Sequence, residues 1–248
     1  MTTDLLHLLD RFLVLSHVAA GMIALFIAPL AMLTAKGGVW HRRWGKVWFW
    51  GMAWIAASTL ALMFFRFSLF LVVIAIFSFY NALTGYRALY RKNPTRVGQK
   101  PNWIDWGAAV ISIASGVGLV LYGIGGITGL TRQLGYIASG SSTALFVLSI
   151  VFGIALVSHA LPDVQSFTRA AEDKNWWWFY HMSRMLGGYT ATVTAFMVQN
   201  IGRHLPNEIA WITWVAPSVV MTPLISIWIT YYQRKFAERK STRLASQT

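Results

Sequence analysis

The chain has 248 residues, 56% of them hydrophobic and 12% charged, with a mean hydropathy of +0.52; a soluble domain of this size carries about twice that charge. The apolar residues fall in runs, several near the roughly 20 needed to cross a bilayer, which excludes a soluble globular domain and points to an all-α polytopic membrane protein. The formal charge of +13 sits between the apolar runs, where lipid headgroups and cytoplasmic loops account for it, so no nucleic-acid partner is implied.

There is no cysteine, which excludes disulfides, thiolate metal sites and a cysteine nucleophile. The start, MTTDLLHLLDRF, is acidic, so a cleavable signal peptide is not expected and the first span serves as its own insertion signal. The whole of 1–248 reads as one membrane domain.

Seven spans are expected, at roughly 11–34, 47–65, 68–90, 104–122, 143–161, 181–202 and 208–232, with a basic cytoplasmic tail at 233–248. In span one, Ala20, Ala24 and Ala28 share a face with His17 and Gly21, a spacing that lets a neighbouring helix approach closely. The loop that follows, AKGGVWHRRWGKVW, is short, basic and aromatic. Spans two and three meet in a tight turn at Arg66. Span three ends in NALTGYRALYRK. The link from Lys92 to Trp103 carries Pro94, Gly98 and Pro101 as breakers, and the glycine-rich link after span four has the single charge Arg132. Span five is expected to end at Pro162, because the residue before proline is pushed away from helix. Asp163 to Asn175 then reads as a polar surface segment. The tail is expected to fray.

The links after spans one, three and five, with the tail, hold 17 of the 21 Lys and Arg. The positive-inside rule then puts the N-terminus outside and the C-terminus in the cytoplasm. No internal repeat is apparent, which weakens an inverted-repeat transporter.

Span six, NWWWFYHMSRMLGGYTATVTAFMVQN from Asn175 to Asn200, is polar at both ends with small residues between. At about 100° per residue, His181, Arg184, Gly188, Thr192, Ala195 and Gln199 fall on one stripe, which is the expected functional face. On the expected topology His41, His159 and His181 lie near the cytoplasmic side with Asp163, and His17 and His204 lie toward the outer side.

Three readings fit the histidines. In the first, haem is held between histidines on neighbouring helices: an inner pair, His159 with His181, and an outer pair, His17 with His204. Gly187, Gly188 and Gly21 would make room for the ring, and Arg42, Arg43 or Arg184 would meet the propionates. In the second, His41, His159, Asp163 and His181 make a zinc site for a lipid-directed hydrolase. This resembles, in chemistry only, the seven-span zinc hydrolases of the adiponectin receptor and alkaline ceramidase superfamily, whose His-x-x-x-His pair is missing here. In the third, histidine, tryptophan and arginine simply anchor helices at the interface, as is expected for His7 and His204. The tryptophans at 176–178, with Trp40, Trp44, Trp48 and Trp50, form an inner aromatic belt or line a quinone or lipid-headgroup site. Small-molecule or proton translocation along the stripe is favoured by Arg184, Thr192 and Gln199 and disfavoured by the lack of a mid-membrane carboxylate.

Two stretches together resemble a known family: SHVAAGMIALFIAPLAMLTAKGGVWHRRWGKVW, Ser16 to Trp48, and HMSRMLGGYTATVTAFMVQN, His181 to Asn200. They look like the bacterial predicted-membrane-protein family called domain of unknown function 2306 (DUF2306). The resemblance runs from His17 to about Asn200 and implies a multi-span protein of the bacterial cytoplasmic membrane with no assigned activity. It also implies that His17, His41, Arg42, Gly45, His181, Met185, Gly188 and Asn200 occupy the family's motif positions. The leading expectation is a haem b redox protein using His17, His159 and His181, with Arg42 and Arg184 beside the haem; the alternatives are the zinc hydrolase and a transporter.

Overall fold

A computed structural model describes residues 2–93, 96–130, 143–169 and 174–245. Every regular element among them is helical: α1 (Thr2–Leu33), α2 (Val39–Leu62), α3 (Leu69–Ala88), α4 (Trp103–Ile127), α5 (Thr143–Thr168), α6 (Trp176–Asn200), the short α7 (Asn207–Ala210) and α8 (Ile212–Ala245), with a 3-10 turn at Gly202–His204. Pro94, Arg132 with the link at 131–142, and residues 170–173 lie outside the described residues.

Among the described residues, five stretches are long and apolar enough to cross a membrane: Asp4–Leu33, Phe70–Ala88, Trp103–Ile127, Thr143–Thr168 and Asn207–Glu238. Their outward faces are apolar, with Leu15, Phe26, Leu121, Ile154 and Val219 each more than half exposed. Surface of that kind belongs against lipid rather than water, and the molecule is a membrane protein. α2 and α6, at 24 and 25 residues, are longer than α3 at 20, but their polar ends dilute their apolarity.

α3 and α6 pack against each other at the centre. α2 lies against α3 and α1 against α2 on one flank; α4 and α5 pair on the other; α8 covers α6. The centre is therefore a pair of helices rather than α6 alone. Small residues set the close approaches. Ala24 and Ala28 are buried against Trp48, Phe49 and Met52 of α2, as the alanine stripe predicts. Between α4 and α5, a Cβ on Gly116 would stand 2.8 Å from the Gly153 carbonyl oxygen, and one on Gly153 2.6 Å from that of Gly116. In lipid, where apolar burial drives no association, such contact is a main source of helix–helix affinity. At the centre, a Cβ on Gly85 would stand 2.9 Å from the Arg184 Cβ, so glycine there lets α6 close on α3.

Several boundaries differ from the sequence expectation. α2 begins at Val39, so His41 and Arg42 stand on its first turns rather than in a loop. Gly37, at φ +76°, turns the chain, and a helix end at the interface can keep basic side chains in water. α5 runs through Pro162 to Thr168, which puts Asp163 inside a helix and buries it. The proline removes only the bond to the Ser158 carbonyl, and tertiary contacts beyond it hold the last turns. α6 begins at Trp176, so its tryptophans are helical. The basic tail continues α8 to Ala245; its Lys, Arg, Glu and Ala are good helix formers, and Phe236 packs on Trp178 and Phe179 with ring centroids 5.3 and 5.7 Å away.

Candidate functional site

A cavity of about 490 Å³, labelled inner after the side expected from the sequence to be cytoplasmic, opens between the ends of α1, α2, α3, α6 and α8, within the range of small-molecule and cofactor sites. His41 and His181 both line it. The last four carbonyls of a helix have no partner within it, and two such carbonyls orient these rings. His41 Nδ1–H donates to the Ala31 oxygen at the end of α1, at 2.9 Å. His181 Nδ1–H donates to the Gly85 oxygen at the end of α3, at 2.8 Å. In the neutral ring each bond places the proton on Nδ1 and leaves Nε2 as the acceptor. Among the described residues neither Nε2 has a hydrogen-bond partner. The ring centroids are 6.5 Å apart, with the planes at 75°.

The walls are apolar and aromatic: Trp48, Trp178, Met182, Met185 and Leu186. The polar edge is wholly cationic, with Lys36, Arg42 and Lys92 and no carboxylate. Lys36 donates to the Met32 oxygen, another unpaired carbonyl of α1, and its ammonium lies 5.4 Å from the centroid of the Trp228 ring. Partial burial draws this amine below its usual range. Lys92 lies over Trp177 at 4.3 Å. This arrangement attracts an anion carried by a flat apolar body.

Arg184 and Asp163 do something else. Arg184 Nη2 donates to Asp163 Oδ1 at 2.7 Å and to the His159 carbonyl at 2.6 Å. Tyr80 and Tyr180 donate to the same carboxylate at 2.5 and 2.6 Å, and the guanidinium lies 5.6 and 4.9 Å from their ring centroids. Arg184, Asp163 and Tyr80 are all buried. With a cation and two hydroxyls on it, Asp163 is a structural acceptor that ties α3, α5 and α6 together. A second carboxylate of this kind, Asp105, accepts Arg87 in two bonds of 3.1 and 2.7 Å, has Arg91 at 3.3 Å, and closes a capping box with Asn102.

The proposed sets are therefore regrouped. His159 lies away from the inner cavity: its Nδ1 meets Asn81 Oδ1 at 3.2 Å and its ring packs on Phe77. It lines an outer cleft, as does His17, whose Nδ1–H donates to Ser58 Oγ at 2.9 Å. The four zinc candidates do not form one ligand set: Asp163 is occupied by Arg184 and the tyrosines, and no group of three or more metal-ligating His, Asp or Glu exists among the described residues. Arg184 is not free to meet a propionate; Arg42 is. His204 is exposed and part of the turn before α7. His7 is exposed as well. Gly188 is filled by Trp48, 2.8 Å from where a Cβ would stand.

The stripe on α6 divides in the same way. His181 faces the inner cavity, Arg184 the carboxylate, and Thr192 is buried with its hydroxyl 3.4 Å from Met52 Sδ, while Ala195 and Gln199 line the outer cleft. Sequence reasoning missed Lys36, Asn81 and Gly85. The signal was present in the second and third, four residues apart in NALTGYRALYRK and hence on one face of α3. No protein-family model, curated protein or solved structure matches the chain.

Proposed function

We propose that this chain is a b-type haem protein of electron transfer, holding haem in the inner cavity between His41 and His181. The observation that carries the reading is the state of those two imidazoles. Both give Nδ1–H to a backbone carbonyl, the partner that characteristically orients metal-bound histidine, and both keep Nε2 free in one cavity. The two rings, 6.5 Å apart at their centroids, are close enough that both could hold one metal through nitrogen bonds of about 2 Å. Lys36, Arg42 and Lys92 suit a pair of propionates, and Trp48, Met182 and Leu186 suit the faces of a macrocycle. Bound there, the group supplies one-electron chemistry, and the apolar wall with its cationic edge sets the potential.

The same reading includes seven spans, with α2 and α6 crossing alongside the five more apolar helices. It puts the N-terminus outside, the C-terminus in the cytoplasm and the inner cavity at the cytoplasmic face of a bacterial membrane, consistent with the resemblance to domain of unknown function 2306. The test is composition. Protein purified in mild detergent is expected to carry about one haem and one iron per chain, by pyridine haemochrome and elemental analysis. A colourless preparation from haem-replete cells, to which added haemin does not bind, sinks the reading.

A further inference from the structure

The outer cleft is the larger cavity, about 660 Å³. It follows α6 from Ser183 to Gln199, about 24 Å at 1.5 Å per residue. Its polar lining is mixed: the amide of Gln199 and the hydroxyls of Ser183, Ser218 and Thr222 can donate into it, while the other hydroxyls are committed to the backbone. The hydroxyls of Thr59, Ser78, Thr190, Thr194 and Ser226 each donate to the carbonyl four residues earlier, at 2.7–2.9 Å. Their protons are taken, so toward the cleft they offer lone pairs. The two imidazoles agree. Ser58 gives its own proton to the Trp54 oxygen at 2.6 Å, so His17 Nδ1 must be the donor to Ser58. Asn81 gives its amide hydrogen to the Phe77 oxygen at 2.9 Å, so Oδ1 faces His159 and His159 Nδ1 must carry the proton. In both rings Nε2 is left as an acceptor, and both rings line the cleft.

No carboxylate lines the cleft, and its one cation, Arg66, is paired with Asp10 at 2.6 Å. A lining that offers acceptors at His17 and His159, donors toward Gln199 and no negative charge fits a neutral ligand with O–H groups better than a cation, which needs a counter-charge in the membrane. Aromatic faces stand at the His159 end: Phe77 is 5.3 Å from the His159 ring, and Phe152 is 6.4 Å from Phe77. Length, aromatic side chains at one end and an imidazole acceptor beside them suit an aromatic diol with a long apolar tail.

We propose that the outer cleft binds a membrane hydroquinone, its ring beside Phe77 and one hydroxyl donating to His159 Nε2, as the electron donor to the inner site. This rests on the haem reading. His159 meets α3 at Asn81 and His181 meets it at Gly85, one turn or about 6 Å apart along the helix, so a proton acceptor stands next to an electron acceptor. In the reaction both O–H bonds break. Each proton passes to His159 Nε2 in turn and from there to water. A one-electron acceptor held by His41 and His181 would take the two electrons one at a time, so two oxidised proteins would be reduced per hydroquinone, or one that an external one-electron acceptor reoxidises between steps. The ring leaves as the quinone.

The test uses full-length protein in nanodiscs, with a short-tailed ubiquinol as donor and dithionite as a reference reductant. Wild type is expected to be reduced by both. His159→Leu removes the acceptor and Ala191→Phe fills the cleft; each is expected to slow reduction by ubiquinol about ten-fold or more while leaving the dithionite-reduced spectrum unchanged. Wild type that dithionite reduces and ubiquinol does not, or wild-type rates in both variants, overturns the proposal. If no variant holds haem, the haem reading has failed, and the cleft is judged on retention of radiolabelled ubiquinone. Retention that Ala191→Phe abolishes supports the site; no retention by wild type, or retention unaffected by Ala191→Phe, overturns it.

Discussion

His181 and Arg184 lie three residues apart on α6, both in the cytoplasmic half of the bundle on the proposed topology, and they differ in what they leave unused. Arg184 is held through Nη2 by a carboxylate and a carbonyl and lies between two tyrosine faces, all from this chain, with Nη1 buried away from any cavity partner. His181 is anchored through one nitrogen and open through the other, as is His41 across the cavity. A polar group in a membrane interior is costly either way. When its partners are internal, it reads as a fastener. When one atom is held in place and another is left facing a cavity, it reads as a site. The predictions below ask whether that division holds.

The largest effect on stability is expected at the fastener. Arg184→Leu leaves Asp163 buried without its cation, at a cost of about 3–5 kcal/mol. Unfolding in mixed detergent should show it as a large fall in the transition midpoint. Adding Asp163→Leu should recover part of the loss, though not all, because Tyr80 and Tyr180 then lack their acceptor. A wild-type midpoint for Arg184→Leu alone would mean that the cluster fastens nothing. Next come the close approaches. Gly85→Val and Gly153→Val each force a Cβ into occupied space, at about 1–3 kcal/mol. They separate by location. Gly85→Val pushes α6 from α3 and should also lower haem content by disturbing the carbonyl that holds His181. Gly153→Val should leave haem content unchanged, and equal losses in the two variants would show that the site is not local to the α3–α6 contact. The smallest effect belongs to Arg66→Ala. Its pairing with Asp10 joins an arginine whose side chain is 65% exposed, and such pairs contribute under about 1 kcal/mol.

Much of the helical framework was legible in the sequence. Apolar runs located the helices, and the Ala20, Ala24 and Ala28 spacing correctly marked a buried contact with α2. What failed was local punctuation overruled from a distance. Pro162 looks like a stop, but Asp163 just beyond it is gripped by side chains from α3 and α6, and that grip extends the helix. The tail looked like a fraying end, yet Phe236 has aromatic partners on α6. The pairing of histidines was not legible at all. Helical periodicity says which residues share a face, not which way the face points, and the expected stripe turned out to be shared among a cavity, an ion pair and a cleft. Tautomer was equally out of reach. It is decided by carbonyls at the ends of other helices, and His41 finds its carbonyl on α1 while His181 finds its own on α3.

The central claim is that His41 and His181 are one site. Its most direct measurement is the absorbance spectrum of purified protein, oxidised and reduced, for wild type, His41→Ala and His181→Ala, each checked for an unchanged unfolding midpoint. Neither ring is part of the Arg184–Asp163 cluster, so both variants should fold. Wild type is expected to show a Soret band and sharp reduced-state bands of a six-coordinate haem, and each variant to lose haem or the six-coordinate signature. A wild-type spectrum in both variants, or a wild type without haem, contradicts the account.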